Sequence, residues 1–243
     1  STPISPLDAV AEVPGLVLDV IPLLPTVPIG APVRVEIVLR NDGDTPVEVP
    51  AKIDMSAGCT RGEVVDPSGV VRTFSPLVLC VDETPLRMLA PGEAVRGSLT
   101  LLRGGQGALF PGPGLYGIQV EVHWDAGELE ASVTATSTVM ITAAVDEAHG
   151  TAARAVLSTP DTLLTLVLGG DHLEEGIAAV KTALDNPVLH PHFAFIEAKR
   201  VGRSFGKRKA DLKSAAHLIN EATVMSRSEI DRAAQIVKAG GEA

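Results

Sequence analysis

Between Pro32 and Arg40 the chain alternates, with Val33, Val35, Ile37 and Leu39 on one parity and Arg34, Glu36, Val38 and Arg40 on the other. A two-residue period is the signature of a strand, and it predicts one face toward a core and the other mainly toward water. Asn41-Asp42-Gly43-Asp44 then reads as a turn, because Asp-Gly supplies positive φ at little steric cost, and Thr45–Ile53 resumes the strand. Upstream, Leu16, Leu18 and Ile21 precede Pro22, Pro25 and Pro28, which suits an edge strand. The pattern recurs downstream at Glu63–Asp66, Val70–Phe74, Pro76–Val81, Leu86–Leu89, Ala94–Leu102, Leu115–Trp124 and Glu130–Thr142. Seven to nine short strands, with turn signals about every 8–12 residues, predict an antiparallel β-sandwich of immunoglobulin-like type over residues 16–145. Residues 1–15, with Pro3, Pro6 and Pro14 and no steady period, read as a flexible or loosely docked arm.

From about Asp146 the rhythm changes to three and four, which predicts an all-helical segment of helical hairpins over 146–243. Thr159-Pro160-Asp161 has the form of a helix start, with Thr as cap and Pro at the first helical position. Asp171–Leu184 places Leu173, Ile177, Val180 and Leu184 on one face, and Asn186-Pro187 stops it. Pro191–Val201 is the next helix. Ser226-Arg227-Ser228-Glu229 is a capping box that launches Ile230–Lys238, with Gly240-Gly241 expected to end it. That terminal helix presents Ile230, Ala233, Ala234 and Val237 together, a face that must dock at home or on a partner. No fixed repeat runs through these helices.

The strands Val33–Leu39 with Asn41-Asp42-Gly43-Asp44-Thr45-Pro46-Val47, the reversal Val65-Asp66-Pro67-Ser68-Gly69-Val70-Val71-Arg72, and Leu89-Ala90-Pro91-Gly92-Glu93 together resemble the bacterial intracellular proteinase-inhibitor (BsuPI-like) type of immunoglobulin-like domain. Phe110-Pro111-Gly112-Pro113-Gly114-Leu115-Tyr116 is similar to the glycine-then-Tyr approach to a late strand in many extracellular sandwich domains. The resemblance covers about half the chain, and the helical segment has no counterpart in that family. It implies the fold, and proteinase inhibition through an exposed loop, for which Gly104–Gly114 is the candidate. It carries over no inhibitory residue.

Composition adds an asymmetry of charge. The net charge is −10. Up to Val145 there are 8 basic against 17 acidic residues, and from Asp146 onward 12 against 13. An acidic balance argues against general affinity for nucleic acid. Apolar runs such as Leu163–Leu168 fall far short of the ~20 residues of a membrane span. Aromatics are only 3%, so the core must be built mainly from Val, Leu and Ala.

Candidate chemistry is sparse. Cys59 and Cys80 are expected either as two buried thiols or as a disulfide closing a loop worth roughly 3 kcal/mol. His190-Pro191-His192 is the only close histidine pair; with His172 or Asp185 it could serve a metal, which would make the chain an accessory subunit of a metalloenzyme. Gly104-Gly105-Gln106-Gly107 lacks the Lys-Ser/Thr of a phosphate loop and reads as a hairpin connection. Ser68 sits in a Pro-Ser-Gly turn, no Gly-x-Ser-x-Gly elbow occurs, and no cofactor is expected. The run Lys199, Arg200, Arg203, Lys207, Arg208, Lys209 and Lys213 stands against only Glu197 and Asp211. It is read as a surface for an acidic partner, including another copy of the chain, or else as a solvated loop. Fold punctuation without convergent reactive groups points to a non-catalytic binding or structural accessory protein, not an enzyme.

Overall fold

The protein, a computed structural model, is described over residues 10–77, 85–168 and 172–241. Among the described residues, thirteen strands occupy the N-terminal part: β1 (Val10–Glu12), β2 (Leu16–Pro22), β3 (Thr26–Pro28), β4 (Val33–Asn41), β5 (Val47–Pro50), β6 (Thr60–Val65), β7 (Val71–Phe74), β8 (Leu86–Leu89), β9 (Ala94–Leu101), β10 (Arg103–Gly104), β11 (Gly107–Ala108), β12 (Gly114–Ala126) and β13 (Leu129–Thr142). Six helices follow among the described residues: α1 (Glu147–Ser158), α2 (Asp161–Leu168), α3 (Glu174–Asp185), α4 (His190–Val201), α5 (Leu212–Glu221) and α6 (Ile230–Gly241), the last preceded by a 3-10 turn at Arg227–Glu229. The expected switch from strands to helices is therefore present. Seven to nine strands are expected; among the described residues, four of the thirteen (β1, β3, β10 and β11) are pieces of two or three residues.

One sheet runs β1-β13-β12-β6-β7 and another β2-β4-β9, with β5-β8 and β10-β11 as separate pairs. Pairing is antiparallel except where β1 and β3 lie parallel to the two ends of β13. Val10–Glu12, within the expected arm, is thus bound to Glu130–Ser132. Both larger sheets send their apolar parity into one cluster: Leu18, Val35, Ile37 and Leu99 from one, Ile118, Val120 and Val139 from the other. Among the described residues, Val156, Leu163, Val180 and Phe193 of the helices join the same cluster.

Tyr116 is held by edge-on contact with Phe110, and its hydroxyl donates to the Gly112 carbonyl at 2.7 Å. Tyr116→Phe would leave that carbonyl without its buried donor, and is expected to lower stability by about 1–2 kcal/mol in a urea melt. A loss near zero would mean that water replaces the hydroxyl.

Several expectations need correction. The outer parity of β4 does not face water: Arg34, Glu36 and Val38 are 3%, 5% and 2% exposed. Alternation identifies residues that share a face, not what lies over it. Thr45–Ile53 shortens to Val47–Pro50, and Pro76–Val81 falls partly outside the described residues. The Thr159 hydroxyl donates back to the Ala155 carbonyl, so it closes α1 instead of opening α2. Asp171–Leu184 begins only at Glu174. Helix α6 runs past the expected end at Lys238 and includes Gly240 and Gly241, the last described residue. A β-carbon at Gly240 would come within 2.5 Å of Leu212 O and Ala216 Cβ, so the glycine lets α6 cross close to α5.

Two helices had no sequence expectation. In α1 the Asp146 side chain caps the His149 amide, and in α5 Asp211 caps Ser214. The small cluster Phe195, Ala198, Ala215, Ile219, Ala233 and Ile236 seats α5 and α6 on α4. Of the face expected to dock from the terminal helix, Ala233 is buried, while Ile230 and Val237 stay 54% and 36% exposed.

Candidate functional site

A cleft of about 430 Å³ opens where β9 meets α4 and the 3-10 turn. Strand parity explains one wall: Val95, Leu99 and Leu101 point to the core, so Arg96, Ser98 and Thr100 face the helices. The end of α4 brings Lys199 and Arg200, followed by Arg203, and the 3-10 turn brings Ser228 and Glu229.

Glu229 organises this junction. Its Oε1 accepts from Arg34 Nη2 at 2.6 Å and its Oε2 from Lys199 Nζ at 3.1 Å. The Ser226 amide donates to Oε1 at 3.0 Å, completing the capping box read in the sequence. Burial pushes the Glu229 carboxyl up, but Arg34, Lys199 and the Ser226 amide outweigh it and hold the group below the usual carboxylate range. Burial pushes the Lys199 ammonium down; Glu229 opposes the shift, and the like charges of Arg34 and Arg203 add to it. Lys199 also lies 5.1 Å over the Phe195 ring. Arg200 is held by Glu197 through two bonds of 2.9 and 2.5 Å, and Arg96 stands 3.6 Å from Glu36. The hydroxyls of Ser98, Ser226 and Ser228 lie within 2.5–3.0 Å of one another.

The basic run is thereby divided. Lys199, Arg200 and Arg203 line the cleft; Lys207, Arg208 and Lys209 sit on the loop after it, and Lys213 on the exposed side of α5. That loop is cross-braced by paired backbone bonds between Phe205 and Arg208, and Phe205 stacks on His172 with centroids 6.4 Å apart. Arg34, Arg96, Ser98 and Glu229 had no place in the sequence reading of a site. The parity of β4 and β9 and the capping box were the available signals, but nothing local says that these segments meet.

The histidine pair separates. His190 Nδ1 lies 2.7 Å from the Leu184 carbonyl, and its Nε2 sits 2.5 Å from Glu221 Oε2, off the hydrogen-bonding direction. His217 approaches the other oxygen of Glu221 at 2.8 Å. His192 turns instead into the core near His149, where burial and then that neighbour push its imidazole down to about 4. No group of three or more His, Cys, Asp or Glu among the described residues is arranged to hold a metal. Cys59 is buried and its thiol donates to the Lys52 carbonyl at 3.2 Å; Cys80, the other half of the considered disulfide, lies outside the described residues.

The segment considered as an inhibitory loop is tied down. Gln106 accepts from the Thr73 amide at 2.9 Å, a β-carbon at Gly104 would strike the Thr73 carbonyl, and Leu109 and Phe110 are buried. No helix among the described residues is long and apolar enough to cross a membrane.

No family model matches the chain, and no curated protein matches it. Solved structures match only distantly. The β-glucosidase from Listeria innocua in complex with isofagomine is 13% identical at a TM-score of 0.30, covering 52% of this chain and 16% of that one. Spo0M, the sporulation control protein from Bacillus subtilis, is 10% identical at 0.34, covering 59% and 55%. The CARDB domain of PF1109 from Pyrococcus furiosus is 14% identical at 0.24, covering 54% and 98%. The matched part thus spans about a sixth of the glucosidase and about half of Spo0M.

Proposed function

We propose that the chain is a non-catalytic binding or assembly protein, in which an immunoglobulin-like sandwich forms a rigid body and the helical segment carries the contacts. Support for the sandwich comes from the strand order. Sheet β2-β4-β9 shares its apolar cluster with β13-β12-β6-β7, the arrangement of an A-B-E sheet against a G-F-C-C′ sheet. The bond from Tyr116 back to Gly112 has the form of a tyrosine corner at the start of the penultimate strand.

The observation that carries the functional reading is the braced, exposed basic loop on an acidic protein. Lys207, Lys209 and Lys213 project from a loop and helix start whose backbone is fixed, opposite in sign to a strand half of net −9. Charge of this kind steers an acidic protein surface, a second copy included, into register. Ile230 and Val237 on α6 add exposed apolar area to the same terminal unit.

Sedimentation velocity at low and high salt tests this. Association is expected at low ionic strength, to weaken as salt rises, and to disappear in Lys207→Glu/Lys209→Glu/Lys213→Glu. A monomer at every salt concentration that also ignores acidic protein surfaces would remove the reading.

A further inference from the structure

Strand β13 is paired along its whole length to β12, with no break in register from Ile141 down to Leu129. Its other edge is covered only at the ends: β1 lies along residues 130–132 and β3 along residues 140–142. Between these two pieces the chain leaves the sheet and pairs with β4 as β2. It returns at Pro25, whose carbonyl accepts from the Met140 amide at 2.9 Å. That bond, and the one from the Ile29 amide to the Thr142 carbonyl at 3.0 Å, fix which residues of β13 turn their backbone to this edge. The direction alternates with a period of two, so Thr134, Thr136 and Thr138 also present outward amides and carbonyls. Among the described residues, no backbone group pairs with them.

Open edges are ordinarily blunted by a charge, a proline or a bulge. The open stretch here, Val133-Thr134-Ala135-Thr136-Ser137-Thr138-Val139, has none of the three, and its threonines are exposed. Beside its first residues lies a hollow of about 510 Å³, walled by Leu16, Val17 and Leu18 of β2 and by Val133. Unmet backbone groups in line with two short strands, next to an apolar hollow, make a template for strand addition.

The shape of the gap selects its occupant. A second copy cannot offer its own β13, because that strand would run into the space that β1 and β3 already fill at either end. The window of residues 133–139 is roughly 23 Å long, and burying it gives far less than the roughly 1,200 Å² of a stable protein pair. Charge narrows the choice further. The strand half carries 8 basic against 17 acidic residues, while the edge itself has no charged residue. We infer that the open edge of β13 binds an extended peptide segment of a partner, about five residues long, uncharged where it pairs and basic at its flanks. Its backbone completes the ladder at Thr134, Thr136 and Thr138, and an aliphatic side chain enters the hollow. This edge is separate from Lys207, Lys209 and Lys213, so it and the assembly reading stand or fall independently.

The test is fluorescence anisotropy of a dye-labelled peptide, Lys-Val-Thr-Val-Thr-Val-Lys blocked at both ends, titrated with the full chain. Saturable binding is expected, with a Kd of roughly 0.1 mM. Proline in place of the central valine should weaken it at least about tenfold, because proline cannot donate to a ladder. Two further probes carry N-methyl groups on the valine amides or on the threonine amides. Only one set of amides can face β13, so one probe should lose binding and the other keep it. Thr136→Pro removes an outward amide without taking a bond from β12, and should also weaken binding about tenfold. Its thermal melt shows whether the fold survives, and the methylated probes decide the question on the unaltered chain if it does not. No saturation by roughly 1 mM overturns the proposal, as does equal behaviour of the two methylated probes. A concentration-dependent dimer that excludes the peptide would overturn it too, by giving the edge to a second copy.

Discussion

Arg34→Met should lower the free energy of unfolding by about 3–5 kcal/mol, the cost of leaving one member of a buried ion pair without its counter-charge. The Arg34 side chain is 2% exposed, and that of Glu229 10%. With so little of either side chain exposed, water replaces the lost guanidinium poorly. Lys199 remains beside Glu229 at 3.1 Å, which places the loss toward the lower end of that range. Adding Glu229→Gln removes the stranded charge and keeps a capping group for Ser226, so the double variant should recover roughly half of the loss. Urea melts of the three proteins check both statements. A single-variant loss below about 1 kcal/mol would mean that the junction is wet and the pair screened.

Acid should weaken the fold before its carboxylates are titrated, and His192 supplies the reason. Its imidazole is held down at about 4, against 6.5 for an unperturbed ring. Above pH 6.5 the ring is neutral in folded and unfolded chains alike, and it contributes nothing to the pH dependence. Between pH 6.5 and 4 the unfolded chain takes up a proton that the folded chain refuses, so stability falls as pH falls. Below 4 the effect levels off, at about 3 kcal/mol at most and less where water reaches the ring. His192→Gln cannot titrate, and its stability profile between pH 7 and 4 should be flatter than the parent's by that amount. Parallel profiles for parent and variant would refute the assignment.

The strand half was legible from sequence because its signal is local. Val33–Leu39 alternates and Gly43, Gly69 and Gly92 mark reversals, so neighbouring residues alone place the turns, although only Gly69 and Gly92 take the positive φ that was also expected of Gly43. The capping box was equally readable, since Ser226 and Glu229 meet three residues apart. Arg34 and Glu229 lie 195 residues apart, and no pattern in either segment announces the other. Arg34 looked like a solvent residue because its parity excluded it from the core, yet the helices give that face a second interior. Helix α1 was missed for a different reason: its buried positions are His149, Ala152, Ala153 and Val156, with Gly150 beside them, so the apolar contrast is faint. The histidines misled through spacing. Two residues apart suggests convergence on an extended segment, but on α4 that step turns His190 toward Glu221 and His192 into the core.

Helix α4 gives Phe193 and Ile196 to the large cluster and Phe195 and Ala198 to the small one, so it belongs to two interiors at once. Helices α5 and α6 contribute to the small interior alone. The C-terminal pair is therefore expected to open at a lower free energy than the strand core, which amide exchange would read as earlier exchange in α5 and α6. Any event that favours the open form exposes the far flank of α4 and uncouples Arg34 from its carboxylate in the same step.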